Sequence, residues 1–170
     1  MYLKEGELLI RNAKLEDADI LCSWWNDGKV MEHAGFPNGI HISREDIIEN
    51  IAKDFHKRVR LIIEVKSKAI GEMSYLIEDN IADIGIKICE FSYQEKGYGS
   101  KSLKLLLNYL FSEVKVLKVI LDTNLNNKRA QHVYEKIGFK KVDIKIDSWK
   151  DEVGNLQSVV YYELKKEDYK

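Results

Sequence analysis

Seven residues, Gln94-Glu95-Lys96-Gly97-Tyr98-Gly99-Ser100, join an apolar strand-like segment to an amphipathic helical one. Gly97 and Gly99, two apart, let the main chain adopt positive φ and approach a ligand closely. The first turn of the following helix offers unpaired N–H groups and the positive end of the helix dipole. Together these make an anion site suited to a pyrophosphate. The stretch lacks the Gly-Lys-Ser/Thr of a Walker loop and the third glycine of a dinucleotide fingerprint. Taken alone it reads equally well as a plain turn. A second pattern follows: Asn127, Ala130, Tyr134, Gly138 and Phe139, spaced N-x-x-A-x-x-x-Y-x-x-x-G-F. At helical spacing Ala130, Val133, Tyr134 and Ile137 share one inward face, and Gly138 suits the left-handed position that ends a helix.

Hydrophobic period supplies the elements that must hold these motifs. Glu7 to Arg11 reads as a strand, Leu15 to Trp25 as a helix ended by Asp27-Gly28, and Ser43-Arg44-Glu45-Asp46 as a capping box opening a second helix to about Phe55. Strands follow at Arg60 to Val65 and Ala69 to Leu76, joined at Ser67-Lys68, and at Ile81 to Cys89, where Ile84, Ile86 and Ile88 alternate. A helix over about Gly97 to Ser112 carries Leu103, Leu106, Leu107 and Leu110 on one side. Then come a strand at Val119 to Thr123, a helix at Asn127 to Ile137, and a hairpin of Lys140 to Ile146 with Ser158 to Leu164. The expected fold is α+β, a mixed seven-stranded sheet flanked by about four helices in the order β-α-α-β-β-β-α-β-α-β-β. With no repeat and no linker, residues 1–170 read as one domain.

The pair Gln94-x-x-Gly97-x-Gly99 and Asn127-x-x-Ala130-x-x-x-Tyr134-x-x-x-Gly138-Phe139 resembles the two signature motifs of the GCN5-related N-acetyltransferases (GNAT). The element order is similar to that fold over nearly the whole chain, with a mostly antiparallel sheet. The ribosomal-protein N-terminal acetyltransferases and the aminoglycoside 6′-acetyltransferases are the most similar branches. Asp122-x-x-x-x-Asn127-x-Arg129-Ala130-x-x-x-Tyr134-Glu135-Lys136-x-Gly138-Phe139 resembles the latter in particular. Glu95 departs from the pattern, since many members carry glycine there.

The resemblance implies acetyl-CoA as co-substrate and direct transfer to a primary amine, on an aminoglycoside-like or polyamine molecule or a protein N-terminus. It places the pyrophosphate on the main-chain amides of Glu95 to Ser100, with Lys96 and Lys101 adding charge or merely flanking the helix. It also implies that the preceding strand splays from its neighbour and offers a free edge at Ile88 to Glu90. An unpaired amide near Ile88 or Cys89 then polarises the thioester carbonyl. Asn127 either bonds the pantetheine amide or caps its helix, or both. Asp122, near the end of its strand, is the candidate to take the amine proton, with Asp83 and Glu72 as weaker candidates or anchors for a cationic substrate. Tyr134 is either the acid that protonates the departing thiolate or a core tyrosine. Of Trp24 and Trp25, one is expected in the core and one at the wall of the acceptor pocket. The other reading is a coenzyme-A-binding module without catalysis, acting as sensor or partner-binding subunit.

Bulk properties narrow the classes further. The 27 basic and 28 acidic residues leave a formal charge of −1, and no basic stripe marks a nucleic-acid partner. No apolar run is long enough to span a bilayer. The start of the chain shows no secretion signal, and Cys22 and Cys89 read as free thiols, which together point to the cytoplasm. His33, His41, His56 and His132 show no metal-ligand spacing, so no metal is expected. A monomer or homodimer fits a chain of this kind.

Overall fold

The computed structural model describes residues 1–54 and 58–170. Eight strands lie in one sheet: β1 (Tyr2–Glu5), β2 (Leu8–Asn12), β3 (Val59–Val65), β4 (Lys68–Glu78), β5 (Ile81–Ile88), β6 (Lys118–Asn124), β7 (Lys140–Lys150) and β8 (Leu156–Lys165). Their spatial order is β1-β2-β3-β4-β5-β6-β8-β7, and every pairing is antiparallel except β5 with β6. The expected seven strands are thus eight. The added one, β1, turns back on β2 through Gly6 at φ 59° and is held by main-chain bonds rather than by a buried face. Its exposed Tyr2, Lys4 and Glu5 carry no alternating pattern to reveal it.

Local chemistry sets the turns. Lys66 and Ser67 both take positive φ, 52° and 65°, as a two-residue hairpin turn between β3 and β4 requires. Asp79 and Asn80 do the same between β4 and β5.

The helices are α1 (Ala18–Trp25), α2 (Gly28–Met31), α3 (Arg44–Asp54), α4 (Tyr98–Asn108) and α5 (Lys128–Ile137). A 3₁₀ turn at Leu15–Asp17 precedes α1, so the helix proper starts later than its apolar pattern suggests. Asp27 both follows α1 and starts α2, its carboxylate accepting the Lys29 N–H at 2.8 Å, which adds a helix beyond the four expected. At α3 the Ser43 hydroxyl accepts the Asp46 N–H at 3.1 Å and donates to the Asp46 carboxylate at 2.7 Å. The expected end of α3 near Phe55, and His56, lie outside the described residues. Beyond Asn108, α4 runs on into a π-helical turn over Tyr109–Val114.

The sheet buries both faces, unequally. On one side Leu103, Leu106, Leu107 and Leu110 cover Leu61, Ile63, Met73, Ile84 and Leu121, with Tyr134 of α5 in the same cluster. On the other, Leu21, Trp24, Trp25, Ile47 and Ile51 close over Ile62 and Cys89. Among the described residues no helix is long and apolar enough to cross a membrane.

Candidate active site

β5 and β6 pair in parallel over three positions only, Ile81 with Lys118, Ala82 with Val119 and Asp83 with Ile120. The remaining length of β5 keeps β4 on one side and parts from β6 on the other. Strand alternation decides which groups face the gap. Cys89 donates its N–H to the Ile70 carbonyl at 2.9 Å, so the odd-numbered main-chain groups of this segment turn to β4 and those of Ile84, Ile86 and Ile88 turn to the gap. The Ile88 carbonyl does face away from β4, for it accepts the Gln94 Nε2–H at 2.8 Å. Of the two amides expected near the thioester, that of Cys89 is therefore engaged and that of Ile88 faces the opening. The Glu90 N–H also goes to Ile70. The Cys89 thiol is 3% exposed, and burial, reinforced by the negative charge of Glu72, raises its pKa and keeps it protonated.

The loop after β5 turns on two left-handed residues, Glu95 at φ 59° and Gly97 at φ 81°. Glu95 is exposed, so its side chain stands clear of the turn. Gly97 caps α4, and the first helical bond runs from the Lys101 N–H to the Gly97 carbonyl at 3.0 Å. The amides of Tyr98, Gly99 and Ser100 precede that bond and belong to the open first turn. A β-carbon on Gly97 would meet nothing within 4 Å, so φ alone calls for glycine there. At Gly99 it would sit 3.7 Å from Ile88 Cγ1, an ordinary contact. Lys96 and Lys101 are both exposed beside this turn.

α5 lies on the same face as α4. Asn127 caps it, its Oδ1 accepting the Ala130 N–H at 3.3 Å while its Nδ2 donates to Thr123 at 3.2 Å. Gly138, at φ 117°, closes the other end. Tyr134 is 5% exposed, set between Phe139 at 6.1 Å and the edge of Tyr162 at 5.7 Å. Burial, with the charge of Asp122 behind it, lifts the phenol above its usual value. Arg129 of α5 donates to Gln94 Oε1 at 2.6 Å, which ties the helix to the loop after β5.

On the opposite face, a cleft of about 440 Å³ is lined by Asp83, Ile120, Asp122, Asp143, Lys145 and Tyr161, among others. Asp122 pairs in register with Tyr161 across β6 and β8. Partial desolvation first, then repulsion from Asp83, raises the pKa of Asp122, while Arg58 opposes the shift. Arg58 donates to Asp83 at 2.6 Å and to the Ser74 hydroxyl at 3.0 Å. The tip of the β7–β8 hairpin meets the loop after α2 through the Glu152 N–H to the Gly35 carbonyl, 2.9 Å, and the Asn38 N–H to the Glu152 carboxylate, 2.8 Å. Trp149 lies so close to Gly35 that a β-carbon there would come within 2.4 Å of its ring.

Three further expected site residues lie in the interior. Trp24 and Trp25 are both buried, at 3% and 7% exposure, where one was expected in the core and one at the wall of the acceptor pocket. Each indole N–H is given to a carboxylate, Trp24 to Glu90 at 2.9 Å and Trp25 to Glu72 at 2.8 Å. Glu72 is accordingly occupied. Its other oxygen accepts from Arg60 at 3.0 Å, and the Arg60 guanidinium lies 4.5 Å over the Trp25 ring. It braces α1 against β3 and β4. Arg58, Asp143, Lys145 and Tyr161 were not anticipated at the cleft. For the last three the one sequence signal was alternation along the terminal hairpin, which needs the β6–β8 register before it points anywhere; Arg58 had none.

Residues 7–140 match the family model described as an acetyltransferase (GNAT) domain. The chain belongs to the GNAT family. It is 24% identical to the uncharacterized N-acetyltransferase p20 of Bacillus licheniformis, over 95% of this chain and 94% of that one. It is 25% identical to the spermidine N(1)-acetyltransferase of Escherichia coli K12, over 76% of this chain and 71% of that one. The crystal structure of the Vibrio cholerae spermidine N-acetyltransferase in complex with CoA and spermine superposes with a TM-score of 0.86 at 20% identity, covering 97% and 99% of the two chains. The eight-stranded, mostly antiparallel sheet is thus a GNAT fold, and the GNAT chain is an N-acetyltransferase with acetyl-CoA as co-substrate.

Replacing Glu72 by Ala would leave the Arg60 cation and the Trp25 indole facing a void. The expected cost is about 3 kcal/mol of stability, read by urea unfolding, with the KM for the acceptor amine unmoved. A large KM rise at native stability would return Glu72 to the list of substrate anchors.

Proposed function

We propose that residues 1–170 act as one domain transferring acetyl from acetyl-CoA to a primary amine on a small polycation, by direct attack in a ternary complex. The observation that carries this reading is the gap between β5 and β6. Open helix-end amides of α4 stand beyond the end of β5 on one side, and Asp83, Asp122 and Asp143 line a cleft on the opposite face. The named activity of the Escherichia coli relative, on spermidine, supports a polycationic acceptor over a protein N-terminus.

In this reading the amides from Glu95 to Ser100 hold the pyrophosphate, with Lys96 and Lys101 adding charge and Gln94 and Tyr98 shaping the turn. The outward groups of Ile86 and Ile88 pair with the pantetheine, and Asn127 adds a further contact while capping α5. Asp122 takes a proton from the acceptor ammonium, directly or through water, and Asp83 helps to hold the positive charge nearby. The freed amine forms the new N–C bond, and the Ile88 N–H receives the oxyanion. The C–S bond then breaks, the sulfur takes the proton of Tyr134, and the extra proton left on the acetylated nitrogen passes through solvent to the phenolate, restoring the tyrosine. Burial that raises a phenol also raises a thiol beside it, so desolvation acts in the same direction on donor and acceptor. Both cysteines are free thiols, which suits work in a reducing cytoplasm.

The direct test is thiol release from acetyl-CoA with polyamines, aminoglycosides and a peptide N-terminus as acceptors. Polyamines or aminoglycosides should turn over fastest. Binding of acetyl-CoA with no amine raising turnover above hydrolysis would instead support the non-catalytic module. Tyr134→Phe should lower kcat by about 10²–10⁴-fold, and a loss below about threefold would retire its role as the acid.

Asp122→Asn should slow the reaction most at pH values below the amine pKa, where the acceptor arrives protonated, and a loss uniform with pH would argue against a base. The same substitution has a signed effect on stability. A carboxyl whose folded-state pKa is raised above its unfolded value costs stability where it is ionised, and the cost fades as pH falls through the folded value and is gone below the unfolded one. Asp122→Asn should therefore raise the melting temperature at neutral pH, with the gain fading in acid.

A further inference from the structure

β7 is the outer edge of the sheet, eleven residues long, and Lys140 to Ser148 are exposed without a break. That edge is apolar at intervals. Val142, Ile144 and Ile146 are 53%, 42% and 64% exposed. The opposite edge, β1, is only four residues long. A long exposed edge with alternating large apolar residues is a template for pairing with another strand.

Main-chain alternation shows what this edge offers. β8 gives its even-numbered groups to β6, since the Leu125 N–H bonds to the Ser158 carbonyl, and turns its odd-numbered groups to β7. Asp143 stands opposite Tyr161 and Lys145 opposite Val159, so their main-chain groups face inward and those of Ile144 face outward. The outward Ile144 N–H is covered for the present by the neighbouring Asp143 carboxylate at 2.8 Å.

We propose that this edge docks a second copy of the same chain, β7 against β7, around a two-fold axis at Ile144. The charges choose both partner and register. In a continuous sheet about such an axis, side chains directly opposite must share a face, so one strand slides past the other only in steps of two residues, which moves the axis by one residue along each. Centred on Ile144, Asp143 of each copy meets Lys145 of the other, and the two Ile144 side chains meet on the opposite face. Centred one residue earlier, Asp143 opposes Asp143; one residue later, Lys145 opposes Lys145. Like charges directly opposite destabilise a strand pair, and opposite charges support it. The two Ile144 residues exchange N–H···O=C bonds, and each Asp143 carboxylate leaves its own neighbour's amide for the lysine across the axis. Because Asp143 and Lys145 also line the acceptor cleft, each copy adds a charged pair beside the other's cleft.

This inference rests on the edge strand and not on the acetyl-transfer reading, so the two fail separately. Analytical ultracentrifugation of the full chain should give twice the 19.8 kDa chain mass. Asp143→Lys sets lysines against lysines and Lys145→Asp sets aspartates against aspartates, so each variant alone should sediment as a monomer. An equimolar mixture of the two variants restores both opposite pairs and should return to the dimer mass, which a misfolded variant would not do. A monomeric native chain, dimeric single variants, or a mixture that stays monomeric would each overturn the proposal.

Discussion

Two strands that begin side by side and separate after three residues govern the rest of this molecule. A β-strand carries an N–H and a C=O at every residue, and leaving them unpaired in a closed interior is costly. The separation after Asp83 leaves the outward main-chain groups of Ile86 and Ile88 without their sheet neighbour. Such an edge persists because the strand is fixed from its other side by a continuous ladder to β4. Its two ends differ in character: α4 begins beyond Ile88 with open amides, while Asp83 and Asp122 crowd the point where the strands diverge. Positive and negative potential thus stand on opposite sides of one opening, a natural arrangement for an anionic co-substrate and a cationic acceptor.

The charged groups divide into those that brace and those that are left strained. Glu72, Arg60 and Trp25 satisfy one another, as do Arg11, Asp17 and Glu64 beneath α1. The Arg11 guanidinium keeps Asp17 below the usual carboxylate range despite the opposing pull of burial. Asp122 is treated differently. Its neighbour Asp83 repels it, and the nearest cation, Arg58, is bonded to Asp83 rather than to it. Carboxylates held against their preference are found more often at working sites than in scaffolds.

Much of this was legible in the residue pattern, for identifiable reasons. The alternation of Ile84, Ile86 and Ile88 and the leucine stripe of α4 are local signals, and the structure keeps both. So is the cap at Asn127 and the left-handed Gly138. β1 escaped because main-chain pairing at an exposed edge leaves no trace in side-chain polarity. The hydrogen bonds of the two tryptophans were not legible because their partners, Glu90 and Glu72, lie 66 and 47 residues away along the chain. The parting of β5 from β6 has no marker of its own in either strand and came only with the family resemblance.

One side chain already spans the opening. Gln94 gives its amide N–H to the Ile88 carbonyl and takes a bond from Arg129. A molecule that displaces the glutamine from that carbonyl exchanges one hydrogen bond for another and gains little enthalpy at this point. The evicted glutamine also loosens the tether on α5, the helix that carries Tyr134. Hydrogen bonding at the Ile88 carbonyl and the anchoring of α5 are therefore mechanically linked through a single amide.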